Sequence, residues 1–129
     1  GGLLCLIDCD KFKSINDNYG HSVGDKVIIA IAEKLQKTCR DSDVVLRLGG
    51  DEFAMFIPGM LEQRVAEKFF ERFFENIRQI DIIEMQGTNI EISLGACFYD
   101  DMKRFLLISY TERLTGQCIR AKSRRAAVL

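Results

Sequence analysis

The chain has 129 residues, 47% of them apolar, and a formal net charge of −1. That is enough for one domain with a normal core, and too apolar for a disordered segment. The balanced charge leaves no footprint for nucleic acid, no run reaches the ~18 apolar residues of a membrane span, and no signal-peptide pattern opens the chain. Neither nucleic acid nor membrane is therefore expected as a partner of this domain, and a cytoplasmic location is expected. Cys5, Cys9, Cys39, Cys97 and Cys118 show no CxxC spacing and are odd in number. Buried free thiols are the expectation, in place of a disulfide framework or zinc site.

Leu3-Leu4-Cys5-Leu6-Ile7 is an unbroken apolar run that stops at Asp8-Cys9-Asp10. It reads as a central strand covered by helices on one side or both. Ser22-Val23-Gly24-Asp25 has the form of a capping box with Ser22 as N-cap. Val23, Val27, Ile31 and Leu35 then recur every four residues, predicting an amphipathic helix to about Arg40. Val44–Leu48 and Phe53–Ile57 are rich in strand formers and flank Gly49-Gly50, whose freedom at positive φ suits a hairpin turn.

Pro58 falls where the second hairpin strand should stop. Leu61, Val65, Phe69, Phe73 and Ile77 form the stripe of a second long helix. Ile80–Met85 and Asn89–Phe98 are predicted strands separated by a Gln86-Gly87 turn. A last helix is predicted over much of Arg104–Ala127, although its apolar period is poor. The order β-α-α-β-β-α-β-β-α fits an α+β sheet with packed helices.

Asp51 and Glu52 follow the glycine pair directly, at an exposed hairpin tip. Acidic side chains fixed there suit a hard divalent cation. Asp8 emerges at the C-terminal end of the first strand. With the hairpin beside that strand, Asp8 and Asp51 can converge on one metal.

Asp8-Cys9-Asp10-Lys11-Phe12-Lys13-Ser14-Ile15-Asn16-Asp17-Asn18-Tyr19-Gly20-His21, then Gly24-Asp25, then Gly49-Gly50-Asp51-Glu52-Phe53, resembles the GGDEF family of diguanylate cyclases. The match runs from about Leu3 to Pro58 and returns at Ile92-Ser93-Leu94-Gly95. The resemblance implies an antiparallel central sheet with packed helices, like the palm of nucleotidyl cyclases and polymerases and related to the ferredoxin-like arrangement. It implies condensation of two GTP into cyclic di-GMP with release of pyrophosphate. It also implies Mg²⁺ or Mn²⁺, and a homodimer, because one domain carries one half-site. The family usually has a further motif before the first strand, preceded by regulatory domains. The whole of 1–129 is thus expected to be a single GGDEF domain, part of a longer signalling protein that could be membrane-anchored.

Residue by residue, the resemblance gives Asp8, Asp51, Glu52 and the Cys9 carbonyl as metal ligands. Asp51 or Glu52 would also take the hydroxyl proton as general base. Cys9–Lys13, including Phe12 and Lys13, would cradle phosphate with backbone N–H groups leading into a helix. Asn16 and Asp25 resemble the guanine-binding pair, which favours GTP over ATP; their structural alternatives are turn former and helix cap. His21 either approaches the nucleotide or fixes its turn. Arg40-Asp41-Ser42-Asp43 resembles the R-x-x-D product-inhibition motif, with Arg40 and Asp43 as the allosteric pair; the alternative is a helix-end charge.

The C-terminal region departs from the pattern. Ala121-Lys122 is kept, so Lys122 is a candidate triphosphate contact. The aromatic block before it and the last arginine block are replaced, with Arg124 or Arg125 as substitutes. A GTP- or cyclic di-GMP-binding domain without catalysis is the alternative function.

Overall fold

The computed structural model describes residues 1–99, 105–112 and 118–125, the last two stretches as strands. Strand β1 (Gly2–Cys9) buries Leu3, Cys5, Ile7 and Cys9 while Leu4, Leu6 and Asp8 face outward. Side chains alternate across a strand, so one face of the sheet is packed and the other open. Helices α1 (Phe12–Tyr19), α2 (His21–Thr38) and α3 (Gln63–Arg78) supply the packed side.

The α2 stripe is buried as its period predicts: Val23, Val27, Ile31 and Leu35 all lie in the core. Its start differs. Gly20, at φ 90°, both ends α1 and precedes α2, so Ser22 sits inside the first turn and no side chain caps the helix. The Gly20 N–H donates to the Asn16 carbonyl at 2.8 Å, closing α1, and with Gly20 as the N-cap of α2 neither Ser22 nor Asp25 stands at a capping-box position. Helix α2 ends at Thr38, whose buried hydroxyl donates to the Lys34 carbonyl (2.8 Å) and accepts from Asn76 on α3 (3.0 Å).

The predicted hairpin is present as β2 (Val44–Gly49) and β3 (Glu52–Pro58). Helix α3 buries Phe69, Phe70, Phe73, Phe74 and Ile77; each phenyl ring withdrawn from water contributes about 2–3 kcal/mol. Leu61 precedes this helix and Val65 stays 46% exposed, so the stripe is shorter than the sequence suggests.

Two predicted elements are wrong. Ile80–Met85 is not a strand: a short 3-10 helix spans Ile83–Met85. Met85 is buried, Ile80 and Ile82 pack partly against the core, and Ile83 is 86% exposed. The place beside β1 goes instead to β4 (Ile92–Tyr99), so this isoleucine-rich stretch has no sheet neighbour and packs as a loop. The C-terminal helix is replaced by strands β5 (Phe105–Glu112) and β6 (Cys118–Arg125). Phe105 to Thr111 is dominated by aromatic and β-branched residues without a helical stripe, which favours the extended state.

All neighbouring strands are antiparallel, in the order β2-β3-β1-β4-β5-β6. The fold is α+β, as expected. Among the described residues, no helix is long and apolar enough to cross a membrane.

Candidate active site

Strand register brings the acidic residues together. Asp8, near the end of β1, pairs with Glu52 on β3, so both lie on the open face. The β2–β3 turn is built from Gly49 (φ 145°) and Gly50 (φ 50°), backbone angles that favour glycine. Arg47 clamps this turn, its Nε and Nη2 donating to the Gly50 carbonyl at 3.1 and 2.7 Å. Asp51 follows, half-buried, and its carboxyl reaches hydrogen-bonding contact with Asp8.

That contact raises the Asp8 pKa from the ordinary carboxylate range to about 6. The shared hydrogen bond with Asp51 is the largest cause, followed by burial and the charges of Asp51, Asp10 and Glu52. Carboxylates so crowded lack a counter-charge, and a divalent cation would supply it. Asp8 and Asp51 offer two oxygen donors of the hardness such a cation needs, although among the described residues no group of three or more His, Cys, Asp or Glu side chains is arranged to hold a metal ion. The Cys9 thiol is no such donor: burial pushes its pKa up to about 12, with the neighbouring aspartates adding to the effect. Only the Cys9 carbonyl remains as a ligand of the right hardness.

A raised carboxylate pKa stabilises the fold below its unfolded value, and the gain is lost as pH rises through the folded value. In metal-free protein, the Asp8–Asp51 pair therefore makes Tm fall as pH rises from about 4 to about 7. Asp51→Asn, which removes the like charge and offers an N–H donor, should flatten that part of the profile. Calorimetric scans in chelator would check it, and identical slopes for both proteins would refute the pairing.

Beyond β1, Lys11 adopts a left-handed conformation (φ 56°) as the N-cap of α1. A non-glycine residue held there is strained, and such strain clusters at ligand loops. Asp10 is held on both sides: its N–H donates to the Glu91 carbonyl (2.8 Å) and its carboxylate accepts from Ser93 Oγ (2.7 Å). Lys13 is exposed and Phe12 half-buried in the first turn of α1.

At the α1–α2 corner, Asn16 Oδ1 is buried with no hydrogen-bond partner. It lies against Gly24, where any Cβ would overlap it. Asp25 is the next residue, exposed and not used as a cap. His21 is exposed as the first residue of α2. A cleft of about 300 Å³ opens on the helix-free face against Asp8, Glu52 and Ser93, with Leu6 and Leu48 as apolar walls.

Arg40 and Asp43 lie elsewhere, in the turn after α2. The Arg40 N–H donates to Asp43 Oδ2 (2.8 Å) and the Asp43 N–H to the Arg40 carbonyl (2.9 Å). They line a separate cavity of about 330 Å³ with Lys68 and Arg72 of α3. Sequence reading missed these two cations, although their four-residue spacing on the polar side of the α3 stripe was available as a signal.

Lys122 is not brought to the acidic end. The register from Asp8 runs through Ser93 and Thr111 to Ile119 of β6. Three strand spacings put β6 roughly 14 Å from β1, and Lys122 lies three residues further along. The side chains of Lys122, Arg124 and Arg125 lie outside the described residues.

The family model "Diguanylate cyclase, GGDEF domain" matches residues 2–123. Diguanylate cyclase VdcA of Vibrio cholerae is 39% identical over 74% of this chain and 28% of its own length. Probable diguanylate cyclase DgcC of Escherichia coli is 40% identical over 71% of this chain and 24% of its own. The chain thus spans about a quarter of the length of these relatives.

Among solved structures, the GGDEF domain of PA1120 from Pseudomonas aeruginosa superposes with a TM-score of 0.70 at 31% identity, covering 78% of this chain and 63% of that one. The GGDEF domain of DgcB from Caulobacter crescentus, solved with c-di-GMP, gives 0.63 at 28% identity, covering 74% and 59%. With these matches added to the paired strands and the acidic turn, the chain belongs to the GGDEF domain family.

Proposed function

We propose that this chain is the catalytic domain of a diguanylate cyclase, joining two GTP into cyclic di-GMP and releasing two pyrophosphates. The observation that carries the reading is the crowding of Asp8 and Asp51, with Asp10 and Glu52 as further negative charges. Asp8, Asp51, Glu52 and the Cys9 carbonyl hold Mg²⁺ or Mn²⁺. A metal held there would supply Lewis-acid chemistry, activating the 3′-hydroxyl and the α-phosphate and offsetting charge on the attacking and leaving oxygens.

Glu52 or Asp51 accepts the 3′-hydroxyl proton. Backbone N–H groups at the start of α1, around Phe12 and Lys13, receive phosphate oxygens. Asn16 and Asp25 read the guanine edge, with His21 nearby. The orphaned Asn16 oxygen and the unused Asp25 carboxylate support that role over turn-forming and capping. Lys122 stays a candidate triphosphate contact, its side chain lying outside the described residues.

Cyclic di-GMP has two equivalent phosphodiester bonds, and the Gly49-Gly50-Asp51-Glu52 turn supplies one acidic half-site. Two GTP-loaded copies must therefore face each other, as a homodimer in the cytoplasm. The test adds GTP and Mg²⁺ to the protein and separates products chromatographically over a hundredfold dilution. Cyclic di-GMP should form with a specific activity that rises with enzyme concentration. GTP binding without product would leave the non-catalytic binding domain, which the β6 strand in place of the expected C-terminal block favours.

Arg40 and Asp43 bind product in the second cavity, with Lys68 and Arg72 adding positive charge. Guanidinium groups stack on guanine and fork onto phosphate. Arg40→Ala should weaken cyclic di-GMP binding roughly tenfold or more and relieve product inhibition without slowing the initial rate. Progress curves with and without added product, with direct titration, are the check. Unchanged product affinity would reduce Arg40 to a helix-end charge.

A further inference from the structure

The proposed guanine pair is split between two helices that meet at a single glycine. Asn16 lies on α1 and Asp25 on α2, joined through Gly20, and neither helix has a side-chain N-cap. The two helices pack on each other at Asn16 and Gly24 and share the core through Ile15 and Val23, and polar contacts from outside add to that packing. One stretch of chain contacts both helices and the phosphate loop. Thr88 Oγ1 and the Tyr19 hydroxyl, at the end of α1, are hydrogen-bonded at 3.2 Å. Glu84 forms an ion pair with Lys26, the residue after Asp25. The Glu91 carbonyl and Ser93 hydroxyl hold Asp10.

This stretch is itself anchored. Met85 and Ile90 are buried, 2% and 4% exposed, between the polar contacts. Gln86 (φ 47°) and Gly87 (φ 81°) turn the chain so that Glu84 and Thr88 reach different helices. The Thr88 N–H closes the turn on the Met85 carbonyl at 3.0 Å.

We propose that Glu84–Ser93 is a brace that sets the separation between the base-reading corner and the phosphate loop. Tyr19, Thr88, Lys26 and Glu84 are its positioning residues. The inference rests on the nucleotide-binding reading above. It adds that selectivity for a guanosine triphosphate depends on a loop that need not touch it. Both polar pairs are exposed, but the Lys26–Glu84 pair is also salt-sensitive, so the uncharged hydroxyl pair gives the cleaner test.

The experiment titrates a non-hydrolysable GTP analogue with Mg²⁺, and separately inorganic pyrophosphate with Mg²⁺, into wild type, Tyr19→Phe, Thr88→Val and the double variant. Each single change should weaken the analogue roughly three- to tenfold, and the double variant should be no worse than either single one. Pyrophosphate affinity and Tm should stay near wild type, because that ligand does not span the braced distance. In turnover, KM should rise with kcat preserved at saturating GTP.

Unchanged analogue affinity in the variants overturns the brace and leaves the nucleotide reading standing. Equal losses for analogue and pyrophosphate with a lowered Tm also overturn it, since they report general loosening. Failure of wild type to bind the analogue at all overturns the nucleotide reading itself.

Discussion

Asp51→Ala is expected to abolish cyclic di-GMP formation while leaving the fold intact. The side chain is half-buried in a turn already held by Arg47 and the two glycines, so its removal opens no core cavity. It does remove one of the two carboxylates in contact at the proposed metal site. Stabilisation of transition-state charge by a bound metal is worth several kcal/mol, so turnover should fall on the order of a thousandfold or more. The same substitution should bring the Asp8 pKa down from about 6. Chromatographic product analysis measures the first effect and carboxyl NMR titration the second. Wild-type turnover by a properly folded variant would remove Asp51 from the site.

Gly24→Ala should nearly eliminate GTP binding at little cost in stability. A Cβ at this position would overlap Asn16 Oδ1, and would lie 3.0 Å from Asn16 Cγ and 3.4 Å from the Phe12 ring. The Asn16 side chain is the movable partner and is driven from its buried place. Alanine meanwhile improves helix propensity by about 0.8–1 kcal/mol, which offsets much of the strain. Displacing a buried hydrogen-bonding group from its ligand leaves unpaired polar atoms on both sides, so affinity should fall roughly a hundredfold. Calorimetry with a GTP analogue would decide it. Tight binding with an unchanged Tm would mean that Asn16 does not read the base.

What could be read from the sequence was local. The run ending at Asp8, the α2 stripe and the Gly49-Gly50 turn each specify their own geometry within a few residues. The acidic cluster followed because the hairpin does lie beside β1. Long-range contacts were not legible: nothing near Ser93 announces a bond to Asp10, and nothing near Thr88 announces Tyr19.

Ile80–Met85 misled because isoleucines mark buried surface as readily as strands, and here they cover the end of the core. At the C-terminus a helix over much of Arg104–Ala127 was expected on a poor apolar period. The composition of Phe105 to Thr111 argued against it, and the composition was the better guide.

Glu52 and Phe53 are adjacent on β3 and point to opposite sides of the sheet. Phe53, opposite Ile7, is sealed in the core, while Glu52, opposite Asp8, faces out. The acidic cluster therefore inherits its alignment from a hydrophobic parity. A slip of one residue would bury the carboxylate and expose the phenyl ring. A slip of two would restore the faces but carry Glu52 roughly 7 Å along the strand, away from Asp8. No intermediate setting exists, so damage to this core should not blur the site by degrees. A population of such molecules should divide into fully aligned and wholly inactive members, with activity tracking the folded fraction.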